Sequence, residues 1–110
     1  MTETNYKLAR KNMINCQLMT NGIHDDFLLD VFDAVPREQF LPREKRHLAY
    51  LDEDVMIESD CFLMEPVIFA RMINCLGLTK DDSVLNLADV TGYSSAILSC
   101  GHLRLKSARP

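Results

Sequence analysis

Residues 83–100, SVLNLADVTGYSSAILSC, constrain the fold of this chain more than any other stretch. The near-continuous apolar segment at 83–87 predicts a strand of a parallel sheet that is covered on both faces. Residues 92–100 predict a helix, and the loop before it ends in Gly92. A strand, a tight loop and a helix in this order open the nucleotide-binding corner of a doubly wound domain. The predicted fold class is therefore α/β.

Three further helices are predicted in front of this stretch, over about 4–21, 25–35 and 65–77. Gly22 ends the first, Asp25 caps the second and Pro36 ends it, and Pro66 and Gly77 bound the third. The apolar faces expected to be buried are Tyr6, Ala9, Met13 and Cys16 with Ile14 and Leu18 in the first, Leu28, Val31, Phe32 and Val35 in the second, and Phe69, Met72, Ile73 and Leu76 in the third.

The segments between these helices carry weaker patterns. Residues 36–42 lie between two prolines and have room for a single helical turn. The charged run at 43–47 predicts a solvated face, and residues 55–57 predict an edge or connecting strand.

Composition limits the kinds of partner. The chain has 110 residues, of which 47% are hydrophobic and 25% charged, enough for one small globular domain. A net charge of -4 argues against nucleic acid and against an anionic membrane surface as partners. No apolar run approaches the roughly 20 residues that cross a bilayer, and the N-terminus lacks the apolar segment of a secretory signal. We therefore expect a cytoplasmic protein.

The residues with metal-binding side chains do not form a recognisable site. The four cysteines are far apart and lack a CxxC pair, so we expect reduced thiols in the core: Cys16, Cys61, Cys75 and Cys100. His24 stands beside Asp25 and Asp26, an arrangement that favours a water-facing helix cap over a metal site. No metal is expected.

The last ten residues differ from the rest, because they contain three Lys or Arg and no acid. This shift in composition divides the chain into an α/β domain at 1–100, incomplete in its sheet, and an irregular basic tail at 101–110. A flexible tail and a chain cut short or continued out of its natural frame both remain open.

Several spaced segments together resemble a known family. They are Asn12-Met13 with Gln17, Val35-Pro36-Arg37-Glu38 with Phe40-Leu41-Pro42, Ala49-Tyr50, Glu65-Pro66, Val84-Leu85 and Thr91-Gly92-Tyr93. Over about residues 6–100 the chain resembles the N-terminal half of a protein-L-isoaspartate O-methyltransferase. The resemblance implies a Rossmann-like domain that binds S-adenosylmethionine and methylates isoaspartyl or D-aspartyl carboxylates in damaged proteins, which begins their repair.

The same resemblance implies the site residues. The cofactor loop corresponds to Ala88, Asp89, Thr91, Gly92 and Tyr93, and Ser59 and Glu65 are candidates for the otherwise unknown catalytic residues. Each has a plainer interpretation. Thr91, Gly92 and Tyr93 can form a simple strand-to-helix turn with Tyr93 in the core, and Glu65 can be a helix-terminal charge.

The chain departs from the family pattern at the loop. Where the family has Gly-x-Gly-Thr-Gly-Tyr, this chain has Ala88 and Val90 in place of the first two glycines. Asn86 replaces the acidic residue that the family has just before them. A non-glycine residue held at positive φ costs on the order of 1–3 kcal/mol. Upstream, Met64 stands where well-studied members have a hydroxyl.

Two hypotheses follow from these departures. The first is a methyltransferase whose catalysis is impaired or absent in this truncated chain. The second is a non-enzymatic interaction module that self-associates or docks on a separate C-terminal half, because a lone parallel strand would leave its backbone groups unpaired.

Overall fold

The computed structural model describes residues 2–87 and 89–100, together with the backbone of 104–108. In chain order the helices are α1 (Glu3–Met13), α2 (Asp26–Ala34), α3 (Pro66–Leu76) and α4 (Tyr93–Cys100). The strands are β1 (Val55–Glu58), β2 (Cys61–Leu63), β3 (Ser83–Leu87) and β4 (Arg104–Ala108). This arrangement confirms the α/β fold class, with a helical N-terminal region that leads into a strand-helix unit.

The first helix changes its winding along its length. After α1 it continues as a π-helical turn, Ile14–Leu18, and a 3-10 turn, Met19–Asn21, before Gly22 at φ 88° ends it. A π turn holds more residues than an α turn, so it moves later side chains to a different face. Ile14 and Leu18 are buried, whereas Cys16 is exposed. The predicted extent is confirmed, but the predicted place of Cys16 on the buried face is wrong.

The second helix forms as its sequence indicates. The Asp25 carboxylate caps α2 by accepting hydrogen bonds from the backbone N–H groups of Phe27 at 3.0 Å and Leu28 at 3.3 Å. The predicted apolar face is buried, at Leu28, Val31, Phe32 and Val35. The single turn predicted between the two prolines is a 3-10 helix, Arg37–Phe40, and a second one follows at Arg43–Leu48.

The predicted strand around 55–57 is confirmed as β1, which pairs antiparallel with β2. Sequence reasoning missed β2, a three-residue strand that follows a tight turn with Asp60 at φ 64°. This hairpin holds the segment before α3 against the N-terminal helices.

Helix α3 begins at Pro66 and ends before Gly77, which has φ 59°, as predicted. Its most buried residues are Pro66, Val67 and Ala70. Phe69 and Ile73 are half-buried and pack on the core, whereas Met72 and Leu76 are 53% and 65% exposed. The predicted face is therefore wrong for Met72 and Leu76, because α3 is apolar on most sides and helical spacing alone does not select one.

Strands β3 and β4 pair in parallel, from Ser83 beside Arg104 to Leu87 beside Ala108. Two expectations are corrected here. Residues 104–108 form a strand instead of an irregular tail, and β3 has a hydrogen-bonded neighbour. The expectation that β3 is covered on both faces is also wrong. Leu85 and Leu87 are exposed, so one face of β3 is uncovered in the described part of the chain.

The cysteine prediction is wrong as to burial. Cys16, Cys75 and Cys100 are exposed and Cys61 is half-buried, and all four are free thiols. They lie on the outward sides of their helices and on the hairpin, where neighbouring aliphatic residues fill the core instead. His24 is exposed, and no group of His, Cys, Asp or Glu in the described residues could hold a metal ion. No described helix is long and apolar enough to span a membrane.

Candidate functional site

The loop between β3 and α4 is held by the side chain of Asp89. One carboxylate oxygen accepts a hydrogen bond from Gly92 N at 3.0 Å, and the other accepts from Ser95 N at 3.1 Å and from the Ser95 hydroxyl. Gly92 has φ 86°, a conformation that favours glycine. Asp89 is only 6% exposed. The carboxylate therefore satisfies backbone donors at the start of α4 from within the loop itself.

Asn86 ties the end of β3 to the same helix. Its Nδ2 donates hydrogen bonds to Ser94 Oγ at 2.8 Å and to Ser95 Oγ at 3.1 Å. At the next turn of the loop, Thr91 Oγ1 accepts a hydrogen bond from Tyr93 N at 3.1 Å. Side chains on both sides of the loop thus fix its conformation.

A cavity of about 290 Å³ lies beside this loop, at the carboxyl end of β3. Ligands of open α/β sheets bind at this end of the strands. The cavity is lined by four parts of the chain: the loop with the adjoining ends of β3 and α4, β2 with Met64, one side of α3, and Arg37 of the 3-10 turn Arg37–Phe40. Its lining residues are Arg37, Phe62, Leu63, Met64, Phe69, Met72, Asn86, Leu87, Asp89, Val90, Thr91, Tyr93 and Ser94.

Arg37 and Tyr93 are both fully buried at the inner side of this cavity. The Arg37 Cζ atom lies 4.9 Å from the centroid of the Tyr93 ring. Arg37 donates from Nε to Ala49 O at 2.6 Å and from Nη2 to Met64 O at 2.8 Å. Burial lowers the pKa of the guanidinium. Burial also raises the pKa of Tyr93 to about 12, against the opposing charge of Arg37.

A second polar network, centred on the Tyr50 hydroxyl, holds the backbone of Arg37. The Tyr50 hydroxyl donates to Glu38 Oε1 at 2.5 Å and accepts from Arg37 N at 3.1 Å and Arg10 Nη1 at 3.3 Å. Burial, followed by the hydrogen bond to Glu38, raises the pKa of Tyr50. The network joins α1, the 3-10 turn Arg37–Phe40 and the turn at Tyr50, so it fixes the backbone from which Arg37 projects.

The structure brings together part of the residues expected from the sequence. Asp89, Thr91 and Tyr93 line one cavity and Gly92 shapes its loop, whereas Ala88 lies outside the described residues. Tyr93 also packs edge-on against Phe40 at 5.6 Å between ring centroids. This burial is what the plainer interpretation of Tyr93 as a core residue requires.

The two candidate catalytic residues lie elsewhere. Ser59 is exposed in the turn between β1 and β2, and neither it nor Glu65 is among the cavity residues. Glu65 precedes α3, and its backbone N–H donates to Asp54 Oδ1 at 2.8 Å. Partial desolvation, with the nearby charges of Asp52 and Asp54, raises the pKa of Glu65. Their catalytic roles stay predictions.

Sequence reasoning missed Arg37 as a cavity residue. A charged residue in a short turn is ordinarily solvated, so burial was not expected. The available signal was its position between Pro36 and the apolar pair Phe40 and Leu41, which confines it to one turn against the core.

The sheet, the loop and the cavity at the carboxyl end of β3 define part of an α/β domain with a cavity at the strand end. A family model for protein-L-isoaspartate(D-aspartate) O-methyltransferase matches residues 9–102. The chain therefore belongs to the protein-L-isoaspartate O-methyltransferase family.

Relatives in the curated proteins agree. The chain is similar to protein-L-isoaspartate O-methyltransferase 2 of Marinobacter nauticus, with 38% identity over 82% of this chain and 41% of that protein. It is 38% identical to the enzyme of Rhodopseudomonas palustris over 83% of this chain and 43% of the relative. It is 35% identical to the protein-L-isoaspartate O-methyltransferase of Desulfotalea psychrophila over 96% of this chain and 54% of that protein. The chain thus spans about half or less of the length of these relatives.

The loop as folded is poorly matched to a cofactor that carries its own carboxylate. The donors at Gly92 and Ser95 already bond to Asp89, and a second carboxylate there would meet the Asp89 charge. Val90 lines the cavity, and a volume of about 290 Å³ is at the lower limit of ligand pockets, which run from about 300 Å³ upward. The site therefore offers more to a small carboxylate group on its Arg37 side than to a whole nucleoside cofactor on its loop side.

Proposed function

We propose that this chain acts in the methylation of isoaspartyl carboxylates of damaged proteins, from S-adenosylmethionine, and that its cofactor loop is impaired. Family membership over residues 9–102 supports the reaction class. The observation that carries the impairment is the loop itself, in which Asp89 occupies the helix donors and Val90 lines the cavity.

The carboxylate that accepts the methyl group needs little chemical help from the protein. An ionised carboxylate is already a nucleophile, so the protein has to position it and exclude water rather than remove a proton. The buried cation of Arg37 beside the cavity suits that task, since it supplies a fixed positive charge in a low-dielectric site. Ser59 and Glu65 are not required for it.

The test compares methyl transfer to an isoaspartyl peptide by the wild-type chain and by the double variant Ala88→Gly, Val90→Gly. Val90 is not at positive φ, so the expected strain is not found there, but its side chain lines the cavity. Because glycine removes that side chain and widens the range of loop torsions, we expect the double variant to be at least tenfold faster. Ala34→Gly, at the exposed end of α2, controls for added flexibility alone. Equal rates in the wild-type chain and the double variant would contradict an impaired loop.

A second candidate function is an interaction module. Its support is a set of exposed large apolar side chains on β3 and α3: Leu85 and Leu87 at 61% and 65%, with Ile68, Met72 and Leu76. Exposed apolar patches are typical of interaction sites, and Leu85 and Leu87, two residues apart, lie on the same face of β3. As such a module the chain would form a homo-oligomer or bind a separate polypeptide that supplies the rest of the sheet.

Solution mass as a function of concentration tests this second candidate. Association that is lost in Leu85→Lys, Leu87→Lys but kept in a control Leu8→Lys, on the exposed side of α1, would support it. A wild-type chain that stays a well-folded monomer when no other polypeptide is present would count against self-association.

A further inference from the structure

The cavity beside β3 is lined by a buried cation, Arg37, that forms no ion pair among the described residues. The described residues form ion pairs through Arg10 and Lys11 with Asp33 and Glu38, but Arg37 is in none of them. The residues whose side chains the structure does not describe, 1, 88 and 101–110, include no Asp or Glu. A buried guanidinium without an anion is costly, and proteins usually pair such a group.

Two polar atoms at this place also lack further hydrogen-bond partners. Among the described residues, Arg37 Nη1 and the Tyr93 hydroxyl have no hydrogen-bond partner beyond each other's side chain, although both atoms are buried. Both residues line the same cavity, and the Arg37 guanidinium lies over the Tyr93 ring. The guanidinium nitrogen keeps a further N–H and the phenol keeps its O–H, and two such donors on adjacent side chains are the arrangement that one carboxylate satisfies with its two oxygens.

From this geometry we infer that Arg37 and Tyr93 together form the binding site for a side-chain carboxylate of a polypeptide. One carboxylate oxygen accepts from Arg37 Nη1 and the other from the Tyr93 hydroxyl. The inference rests on the proposed function for the identity of that side chain, an isoaspartyl residue.

The surroundings set the direction of approach. Asp89 lines the same cavity, but its charge is taken up by Gly92 N and Ser95, on the loop side. On the opposite side the end of β2 and the following residue carry Phe62 and Met64, which are 56% and 37% exposed. Both side chains line the cavity, so the proposed route of the carboxylate runs past them. A polypeptide laid along the hairpin would bring its side chain in by this route.

The size of the cavity favours this ligand over a free cofactor. About 290 Å³ accommodates a short acidic side chain and adjoining backbone, and it is small for a nucleoside joined to an amino acid. The carboxylate of such a cofactor is the competing source of the same chemistry, and the experiment separates the two.

The experiment is a calorimetric titration of a peptide with one isoaspartyl residue and no other acidic group. Its arms are the wild-type chain, Tyr93→Phe and the matched control Tyr6→Phe on α1. Because the Tyr93 hydroxyl has no partner in the described part of the fold other than the Arg37 side chain, and phenylalanine keeps the ring against Arg37, Tyr93→Phe should stay within a few degrees of the wild-type thermal midpoint. We expect at least a tenfold weaker peptide affinity in Tyr93→Phe and none of this loss in Tyr6→Phe.

Arg37→Lys adds a second arm, because lysine keeps the charge but loses the planar fork. It should weaken peptide binding further than Tyr93→Phe. A peptide in which the isoaspartyl carboxylate is converted to an amide should lose affinity for the wild-type chain and bind wild type and Tyr93→Phe equally. S-adenosylhomocysteine, which has its own carboxylate, should bind wild type and Tyr93→Phe alike.

Three results would overturn the inference. They are isoaspartyl-peptide affinity unchanged in Tyr93→Phe, equal affinity for the amide peptide, and no peptide binding at millimolar concentration. If Tyr93→Phe weakened the affinity for S-adenosylhomocysteine and left the affinity for the peptide unchanged, the site would belong to the cofactor instead. Failure of the proposed function appears separately, as absent methyl transfer in the glycine-restored variant while peptide binding still depends on Tyr93.

Discussion

The Arg37 Cζ atom lies 4.9 Å from the centroid of the Tyr93 ring, so the turn after α2 meets the start of α4 through a cation and an aromatic face. Such contacts contribute about 0.5–2 kcal/mol, more when desolvated. Both residues are fully buried, although they are far apart in sequence. The contact fixes one wall of the cavity relative to the loop that forms the other.

The Tyr50 hydroxyl should be among the most sensitive single groups in the N-terminal half. Tyr50→Phe removes hydrogen bonds to Glu38, Arg37 N and Arg10, and it leaves buried groups with fewer partners. We expect a loss of about 1–3 kcal/mol in the free energy of unfolding, measured by urea denaturation. Tyr6→Phe, outside this network, should stay within about 0.5 kcal/mol of wild type. Equal effects of the two substitutions would show that the network adds nothing to stability.

Asp89 should matter for the stability of the loop rather than for catalysis. Asp89→Ala leaves the N–H groups of Gly92 and Ser95 without the carboxylate that accepts from them. The expected cost is about 1–3 kcal/mol, as for the loss of a helix cap with buried donors. Hydrogen exchange at the start of α4 should accelerate in this variant. Asp81→Ala, in the exposed turn before β3, is the control, and protection at α4 that is identical in both variants would contradict the assigned role.

Glu65 makes stability depend on pH in a defined direction. Its pKa is raised above the usual 4.5, so the folded state holds the proton more tightly than the unfolded chain does. Ionised Glu65 therefore weakens folding at neutral pH, and this penalty is relieved as the pH falls through the raised pKa. Glu65→Gln should raise the urea midpoint at pH 7 and leave it unchanged well below pH 4.5.

A double-variant cycle identifies the source of that penalty. Asp52 contributes to the raised pKa of Glu65, so the gain from Glu65→Gln at pH 7 should shrink in an Asp52→Asn background. A gain that is the same at both pH values, or the same in both backgrounds, would contradict the electrostatic explanation.

The sequence predicted those elements whose signals are local. The Asp25 cap, Pro66 and the positive-φ glycines Gly22 and Gly77 set helix ends through short-range chemistry, and all four act as expected. Burial depends on packing partners far along the chain, so spacing failed where several faces were apolar, as at Met72 and Leu76. The π turn that exposes Cys16 has no sequence signature of its own.

In the candidate site, too, local sequence patterns predicted some residues, and others became apparent only from tertiary contacts. The loop was found from Gly92 and Tyr93, because a strand followed by a glycine-containing turn and a helix is a local pattern. The burial of Arg37 arises from contacts with Ala49 O and Met64 O, which tertiary folding alone brings together. The β4 pairing at 104–108 is likewise a nonlocal event that composition did not reveal.

The most direct test of the central claim, an impaired cofactor loop in a methyltransferase-family chain, is a calorimetric titration of S-adenosylhomocysteine. The wild-type chain, the Ala88→Gly, Val90→Gly variant and the Ala34→Gly control are compared at the same temperature and salt concentration. We predict that the glycine-restored variant binds at least tenfold more tightly than wild type and that the control matches wild type. Equal affinities in the wild-type chain and the restored variant, or no binding by either, would contradict the claim.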